Sequence, residues 1–296
     1  MVDLTHPDHR EQQGVVITRA NPLAPDPRVM KIAHSLHQGG YYVTLVGWNM
    51  DATQPGFEHL EGLACHRLPV RARFGRGVVN IVHQIRWQIA LVIWLIRHRR
   101  DYAIIHACDF DTVLAAMCCR GLWDKIVVYD IFDFYADMLR ATPRWVRKII
   151  QFIDLHAINS ADALILADDA RYTQIRGAHP RRSVVIYNAL QEGQGFSEPG
   201  SGERPISSEL RLAYFGNLQV ERGLIELLEV LRGHTEWQLD LGGFGGDEAF
   251  IQAQANAMIN VTWHGRLPYG RVLELSSQAD ALIATYDPRI PNNRYA

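Results

Sequence analysis

Short, unbroken apolar runs recur along this 296-residue chain, and each is followed by a segment with helical spacing. A strand wetted on one face alternates apolar and polar residues, whereas a strand covered on both faces is apolar throughout. Strands of the second kind, separated by helices, form a parallel sheet with helices on both sides. Residues 14–18 (GVVIT) open the series. After NPLAPDP comes a helix signal, with Asp26 as N-cap, Pro27 at the first helical position and Val29, Ile32, Ala33 and Leu36 along one face. Gly39 and Gly40 stop that helix before the next strand, YYVTLVG. Further strands are expected at GLACHRLPV, YAIIHA, KIVVYDI, ADALILA and SVVIYNA. Between them, helices are expected over 71–100, 110–119, 143–160 and around 171–176, the third with Trp145, Ile149, Phe152 and Ile153 on one side.

The composition shifts over QEGQGFSEPGSGERPISSE, where Gly, Ser, Pro and Glu dominate as in linkers. The alternation then restarts with strands at LRLAYFG, WQLDLGG, INVTWHG and ADALIATY, and helices over 222–232, 247–257 and 268–278. The prediction is an α/β chain of two Rossmann-like, doubly wound parallel-sheet domains: an N-terminal domain over 1–190, a linker over 191–208 and a partial C-terminal domain over 209–296. Doubly wound nucleotide domains usually carry about six strands, so the second is expected to be incomplete. Its open sheet edge is then an aggregation liability.

Composition excludes some classes. A formal net charge of -2 gives no broad attraction to nucleic acid. Cys65, Cys108, Cys118 and Cys119 have neither CxxC spacing nor a companion histidine pattern, so reduced thiols are expected rather than a disulfide framework or a zinc site. The first residues lack an apolar signal core. The longest unbroken apolar run in 71–100, residues 89–96, is far short of the roughly 20 residues that span a bilayer. That segment reads as a crossover helix against the sheet. Its arginines, Trp87 and Trp94 also suit contact with an anionic membrane surface, and the two readings are compatible.

Ligands of open parallel sheets bind beyond the carboxyl ends of the strands, so the strand-to-helix turns carry the chemistry. In YFGNLQVERG, Gly216 ends a strand and Arg222 and Gly223 open a helix. A cation there opposes the helix dipole, which points to a bound anion; the ordinary reading is a surface arginine. In LGGFGGD, the glycines around Gly243, Phe244 and Gly245 allow close backbone approach to a ligand. Glu248 stands where GxGxxG would end, which disfavours a dinucleotide-binding oxidoreductase, as does the glycine-free first turn. In VYDIFDFYAD, three acids lie among aromatics, an arrangement suited to sugars. Asp130 and Asp137 read as solvated loop acids, while Asp133 stays open between loop acid and ligand. In IHACDFD, Asp109 or Asp111 either caps the next helix or faces the ligand cleft, with His106 in the core or at its rim.

Taken in order, DPRVMKIAHSLHQGGYYVTLVGW, VVYDIFDFYADM, SADALILADDARYTQI with VVIYNA, LRLAYFGNLQVERGLIELLEVL and LDLGGFGG with INVTWHGRLP resemble glycosyltransferase family 4, the group 1 glycosyltransferases, from about Gly14 to the last residue. The resemblance implies a GT-B fold with two Rossmann-like domains facing across a cleft, no obligatory metal and no cofactor. It implies sugar transfer, with retention, from a UDP-, GDP- or other NDP-sugar to a glycan or lipid-linked acceptor in polysaccharide or glycolipid synthesis. Donor contacts carry over to Gly216, Asn217, Arg222, Gly223, Gly243, Phe244 and Gly245, with Arg222 at the pyrophosphate. Asp133 and Arg222 form the catalytic set, and Asp109, Asp111 and Asn188 lie on the acceptor side.

Three departures stand out. Asn217 occupies a position where many members carry arginine. Phe132-Asp133 replaces a His-Glu or His-Asp pair, which shifts weight onto Asp133. The family's paired glutamates would begin shortly after Ala296. The expected setting is cytoplasmic, with residues 71–100 touching the inner membrane face and no nucleic-acid partner. A nucleotide-sugar isomerase (epimerase) of the same architecture, or an inactive nucleotide-binding fragment, would share these motifs.

Overall fold

The computed structural model describes residues 13–23, 26–72, 80–139, 142–189, 210–287, 289–290 and 293. The chain divides into two compact units, one ending its main run at Asn188 and the other beginning at Ala189. The segment 191–208, predicted as a linker, lies outside the described residues.

The first unit comprises β1 (Gly14–Arg19), α1 (Pro27–Gln38), β2 (Tyr42–Trp48), β3 (Phe57–Leu60), β4 (Leu63–Leu68), α2 (Asn80–Arg97), β5 (Ile104–Cys108), α3 (Phe110–Trp123), β6 (Ile126–Ile131), α4 (Tyr135–Met138), α5 (Arg144–Ser160), β7 (Ala163–Leu166), α6 (Arg171–Gln174) and β8 (Ser183–Val185). Its sheet runs β3-β4-β2-β1-β5-β6-β7-β8. All pairs are parallel except β3 with β4. β3 was not expected: its four residues are too few for a periodicity signal. It is held as a hairpin by Glu61 and Gly62, whose φ values of 49° and 87° are those of a two-residue turn.

Successive residues of β1 feed two cores. Val15 and Ile17 pack with Val29, Met30 and Ala33 of α1. Val16 packs in the other cluster with Trp87, Leu91 and Leu95 of α2, Val113 of α3 and Ile158 of α5. Trp87 stacks on Trp48, with ring centroids 5.1 Å apart. Segment 71–100 therefore contains the crossover helix predicted for it. α1 begins as expected, the Asp26 carboxylate accepting from the Val29 N–H at 3.2 Å with Pro27 in the first turn.

On α5 the four large apolar residues share one side, as expected, and that side is the outer one. The buried residues of the helix are Asp154, Ala157 and Ile158, while Trp145, Ile149, Phe152 and Ile153 point to solvent.

The second unit comprises β9 (Arg211–Asn217), a 3-10 turn (Val220–Arg222), α7 (Leu224–Gly233), β10 (Gln238–Phe244), α8 (Glu248–Asn256), β11 (Val261–Gly265), α9 (Tyr269–Gln278) and β12 (Ala281–Leu282). The strands are parallel in the order β11-β10-β9-β12. Leu224, Leu228 and Leu231 of α7 pack with Leu239, Leu241 and Ile251. The strand expected over 279–286 pairs with β9 only through Ala281 and Leu282. Both units carry α/β architecture on mainly parallel sheets, as the alternation predicted.

Candidate functional site

In the second unit the carboxyl ends of β9 and β10 lie side by side, with Gly216 opposite Gly243. A Cβ on Gly243, whose φ is 142°, would stand 1.9 Å from the Gly216 carbonyl oxygen. One on Gly245 would stand 2.3 Å from that of Leu218. These two glycines are therefore demanded by the approach of one loop to the other, a structural need independent of any ligand. The loops are tied by bonds from the Leu218 N–H to the Phe244 carbonyl (2.9 Å) and from the Asp247 N–H to the Leu218 carbonyl (3.1 Å). The Asp247 carboxylate accepts from the Val220 N–H at 3.0 Å and makes no cap bond to its own helix.

These ties aim the turn that follows. The 3-10 turn ends at Arg222, and Gly223, with φ 67°, starts α7. A glycine N-cap has no side chain to offer, so the first N–H groups of α7 have no side-chain cap. Arg222 thus precedes a helix N-terminus, as predicted, although α7 begins two residues later. Its guanidinium lies 4.4 Å from the centre of the Tyr286 ring, and its carbonyl accepts from the Thr285 hydroxyl. Gly223, Ile225, Glu226, Thr285, Tyr286 and Asp287 help to line a cavity of about 420 Å³. That volume suits a small ligand. Asn217 ends β9 with its carbonyl accepting from the Tyr214 hydroxyl at 2.7 Å. Phe244, half exposed, stacks under the Arg266 guanidinium at 4.5 Å. Arg266 was not singled out from sequence; its position directly after β11 was the available signal.

The first unit gathers charge at the carboxyl ends of β1, β5 and β6. Asp109 occupies the N-cap position of α3 with φ 64° and ψ 171°, a backbone region that glycine favours. Its side chain does not cap the helix. It accepts instead from the N–H groups of Phe132 (2.8 Å) and Asp133 (3.3 Å), and pairs with Arg19. Arg19 also holds Asp26 at 3.1 Å. The Phe132 ring meets two guanidinium groups, those of Arg19 and Arg28, each 4.2 Å from its centre.

Asp130 corrects the sequence reading. It is fully buried rather than solvated, taking Arg28 at 2.9 Å and His106 at 3.0 Å. His106, Cys108 and Asp130 each bring one potential ligand atom within 4.8 Å of the others. The Asp130 oxygens are occupied by these partners, and burial, then the Asp130 charge, pushes the Cys108 thiol well above its usual range. The cluster is a buried network built on the Arg28–Asp130 ion pair.

Asp111 is pushed up to about 7, by burial first and then by Asp109, and accepts from the Tyr135 hydroxyl. Asp133 pairs with Arg171 at 3.1 Å, and its side chain remains 48% exposed. Asp137 accepts from Gln174 at 2.8 Å, and Asn188 accepts from Lys31 at 2.8 Å. Among the acids at these strand ends, Asp133 combines a fixed position with open access. The cations that fix the group (Arg19, Arg28 and Arg171) were missed because their partners lie 38 to 102 residues away in sequence.

No protein-family profile and no curated protein matches the chain. Solved structures do. Sucrose-phosphate synthase from Thermosynechococcus elongatus aligns over 93% of this chain and 76% of its own, with a TM-score of 0.73 at 14% identity. The catalytic domain of starch synthase IV from Arabidopsis thaliana, bound to ADP and acarbose, aligns over 92% of this chain and 78% of its own (TM-score 0.66, 12% identity). HepE of Anabaena, in complex with UDP and glucose, aligns over 92% of this chain and 73% of its own (TM-score 0.66, 13% identity). The likeness establishes a fold: the Rossmann-like architecture of GT-B glycosyltransferases.

Proposed function

We propose that this chain is a nucleotide-sugar-dependent glycosyltransferase whose second unit takes the donor diphosphate and whose first unit takes a glycan or lipid-linked acceptor. The observation that carries the reading is Arg222, with its guanidinium on the Tyr286 ring, directly before Gly223 and the side-chain-uncapped N-terminus of α7. The helix dipole disfavours a cation at that place, and a diphosphate between the two reverses the sign of the interaction. As the glycosidic bond to the donor breaks, negative charge builds on the departing diphosphate. A fixed guanidinium and oriented N–H groups stabilise that charge more in the transition state than in the ground state.

The cavity beside Gly223 adds Glu226, a carboxylate that suits the hydroxyls of a ribose or sugar, while Asp287 holds Arg289 at 2.9 Å. In the first unit Asp133, oriented by Arg171, accepts a substrate hydroxyl. Retention of anomeric configuration and a role in polysaccharide or glycolipid assembly complete the reading, and both rest on the family resemblance of the motifs.

The test is nucleoside diphosphate release from a panel of UDP-, GDP- and ADP-sugars. One donor is expected to be consumed, with turnover falling roughly 100-fold in Arg222→Ala, the loss typical of a removed oxyanion donor. Unchanged turnover in that variant would remove the proposal's main support. Recovery of an epimerised donor without transfer would assign an isomerase instead.

A further inference from the structure

The bulky side chains of α5 face away from the core. Trp145 is 67% exposed, Ile149 50% and Phe152 72%, and their spacing places them along one stripe of the helix. The side that packs inward offers Ala157, Ile158 and the carboxyl of Asp154. An aromatic-rich stripe of this kind on a globular unit marks an interaction surface.

A second rule is broken on the same helix. Arg144, Arg147 and Lys148 crowd its first turns, where the dipole disfavours cations, and Pro143 supplies no side-chain cap. No acidic residue occurs from 144 to 153, and Asp154 is buried.

α2 repeats the pattern. It buries Trp87, Leu91 and Leu95 and exposes Val82, Ile85, Ile89 and Ile93. Arg86 and Arg97 are exposed as well, and the helix contains no acid. α3 packs against both α2 and α5, and all three contribute to the core on one side of the sheet. Their outer surface therefore joins two apolar, cationic stripes in one helical layer.

We propose that this layer docks on an anionic lipid surface. The apolar stripes would sink into the headgroup boundary while the arginines and Lys148 reach back to the phosphates. The charge identifies the occupant: a second copy apposing the same face would bring cations against cations, whereas an anionic bilayer neutralises them. Among the described residues no helix is long and apolar enough to cross a membrane, so the contact lies on the surface. The sequence pointed to residues 71–100 with Trp87 and Trp94 as the surface rings; Trp87 is buried against Trp48, and α5 supplies the exposed aromatic half of the face. This face belongs to the first unit and is independent of nucleotide binding by the second.

Flotation of the full chain with lipid vesicles tests it. Binding is expected to vesicles of phosphatidylcholine with about one-third phosphatidylglycerol, to weaken with salt, and to be slight on phosphatidylcholine alone. The double variant W145S/F152S should lower partitioning at least about tenfold. R144E/K148E should lower it more than about twentyfold on the anionic vesicles. Trp145, Phe152, Arg144 and Lys148 are exposed, so both variants should keep the parent circular dichroism and melting temperature. No flotation with anionic vesicles, or binding unchanged in both variants, would overturn the proposal. So would a concentration-dependent dimer abolished by W145S/F152S, which would assign the face to a second copy.

Discussion

Asp154 is fully buried, with its carboxyl accepting from the Tyr129 hydroxyl at 2.7 Å. Its second oxygen has no hydrogen-bond partner among the described residues. Burial raises its pKa from the ordinary 3.8 to about 7, and the charges of Asp109 and Asp111 add to the rise. In the unfolded chain the proton leaves near the ordinary value, whereas the folded protein keeps it to about 7. The contribution of this group to stability is therefore full below 3.8, declines as pH rises, and is lost above about 7. Asp154→Asn keeps the shape and removes the titration. Thermal melts should show the variant more stable than the parent at pH 8, by up to roughly 4 kcal/mol, with the difference shrinking toward pH 5. A difference independent of pH would show that Asp154 is ionised in the folded protein. At this scale the sequence reveals short-range devices well: the Asp26 cap and its neighbour Pro27 lie in one local pattern. Asp130 was illegible because Arg28, its partner, is 102 residues away. Asp109 was open between two roles, and it takes a third, receiving backbone N–H groups from the next strand's turn.

The elements at the strand ends depend on glycines for different reasons. Gly243 has no room for a Cβ, with the Gly216 carbonyl in the way, whereas a Cβ on Gly246 would meet nothing within 4 Å. Gly243→Ala should therefore cost more than about 3 kcal/mol in urea unfolding of the second unit, since backbone has to move. Gly246→Ala should change it by no more than about 0.5 kcal/mol. Equal effects would mean that the β9 and β10 loops are not packed as described. From sequence all these glycines look alike, because which carbonyl faces them is set by strand register. α5 is the converse case. Its periodicity was legible, but which stripe faces the sheet was not, because hydrophobicity alone picks the larger side chains and here the inward side is made of smaller ones. β3 escaped notice because only a turn and four residues define it.

Across the whole molecule, the repeated alternation of apolar strand and helix specifies the architecture through many weak signals that agree. That is why the α/β fold was readable where single residues were not, and why structures at 12% to 14% identity superpose on most of the chain. Function rests on far fewer residues, and Arg222 with the α7 N-terminus is the smallest set on which the donor reading stands. Calorimetric titration of UDP, GDP and ADP into the folded chain addresses that set directly. One nucleoside diphosphate is expected to bind, with Arg222→Ala weakening it at least about tenfold and Arg222→Lys falling between, since lysine keeps the charge and loses the planar fork. Failure of all three to bind, or equal affinity in the alanine variant, would contradict the donor reading.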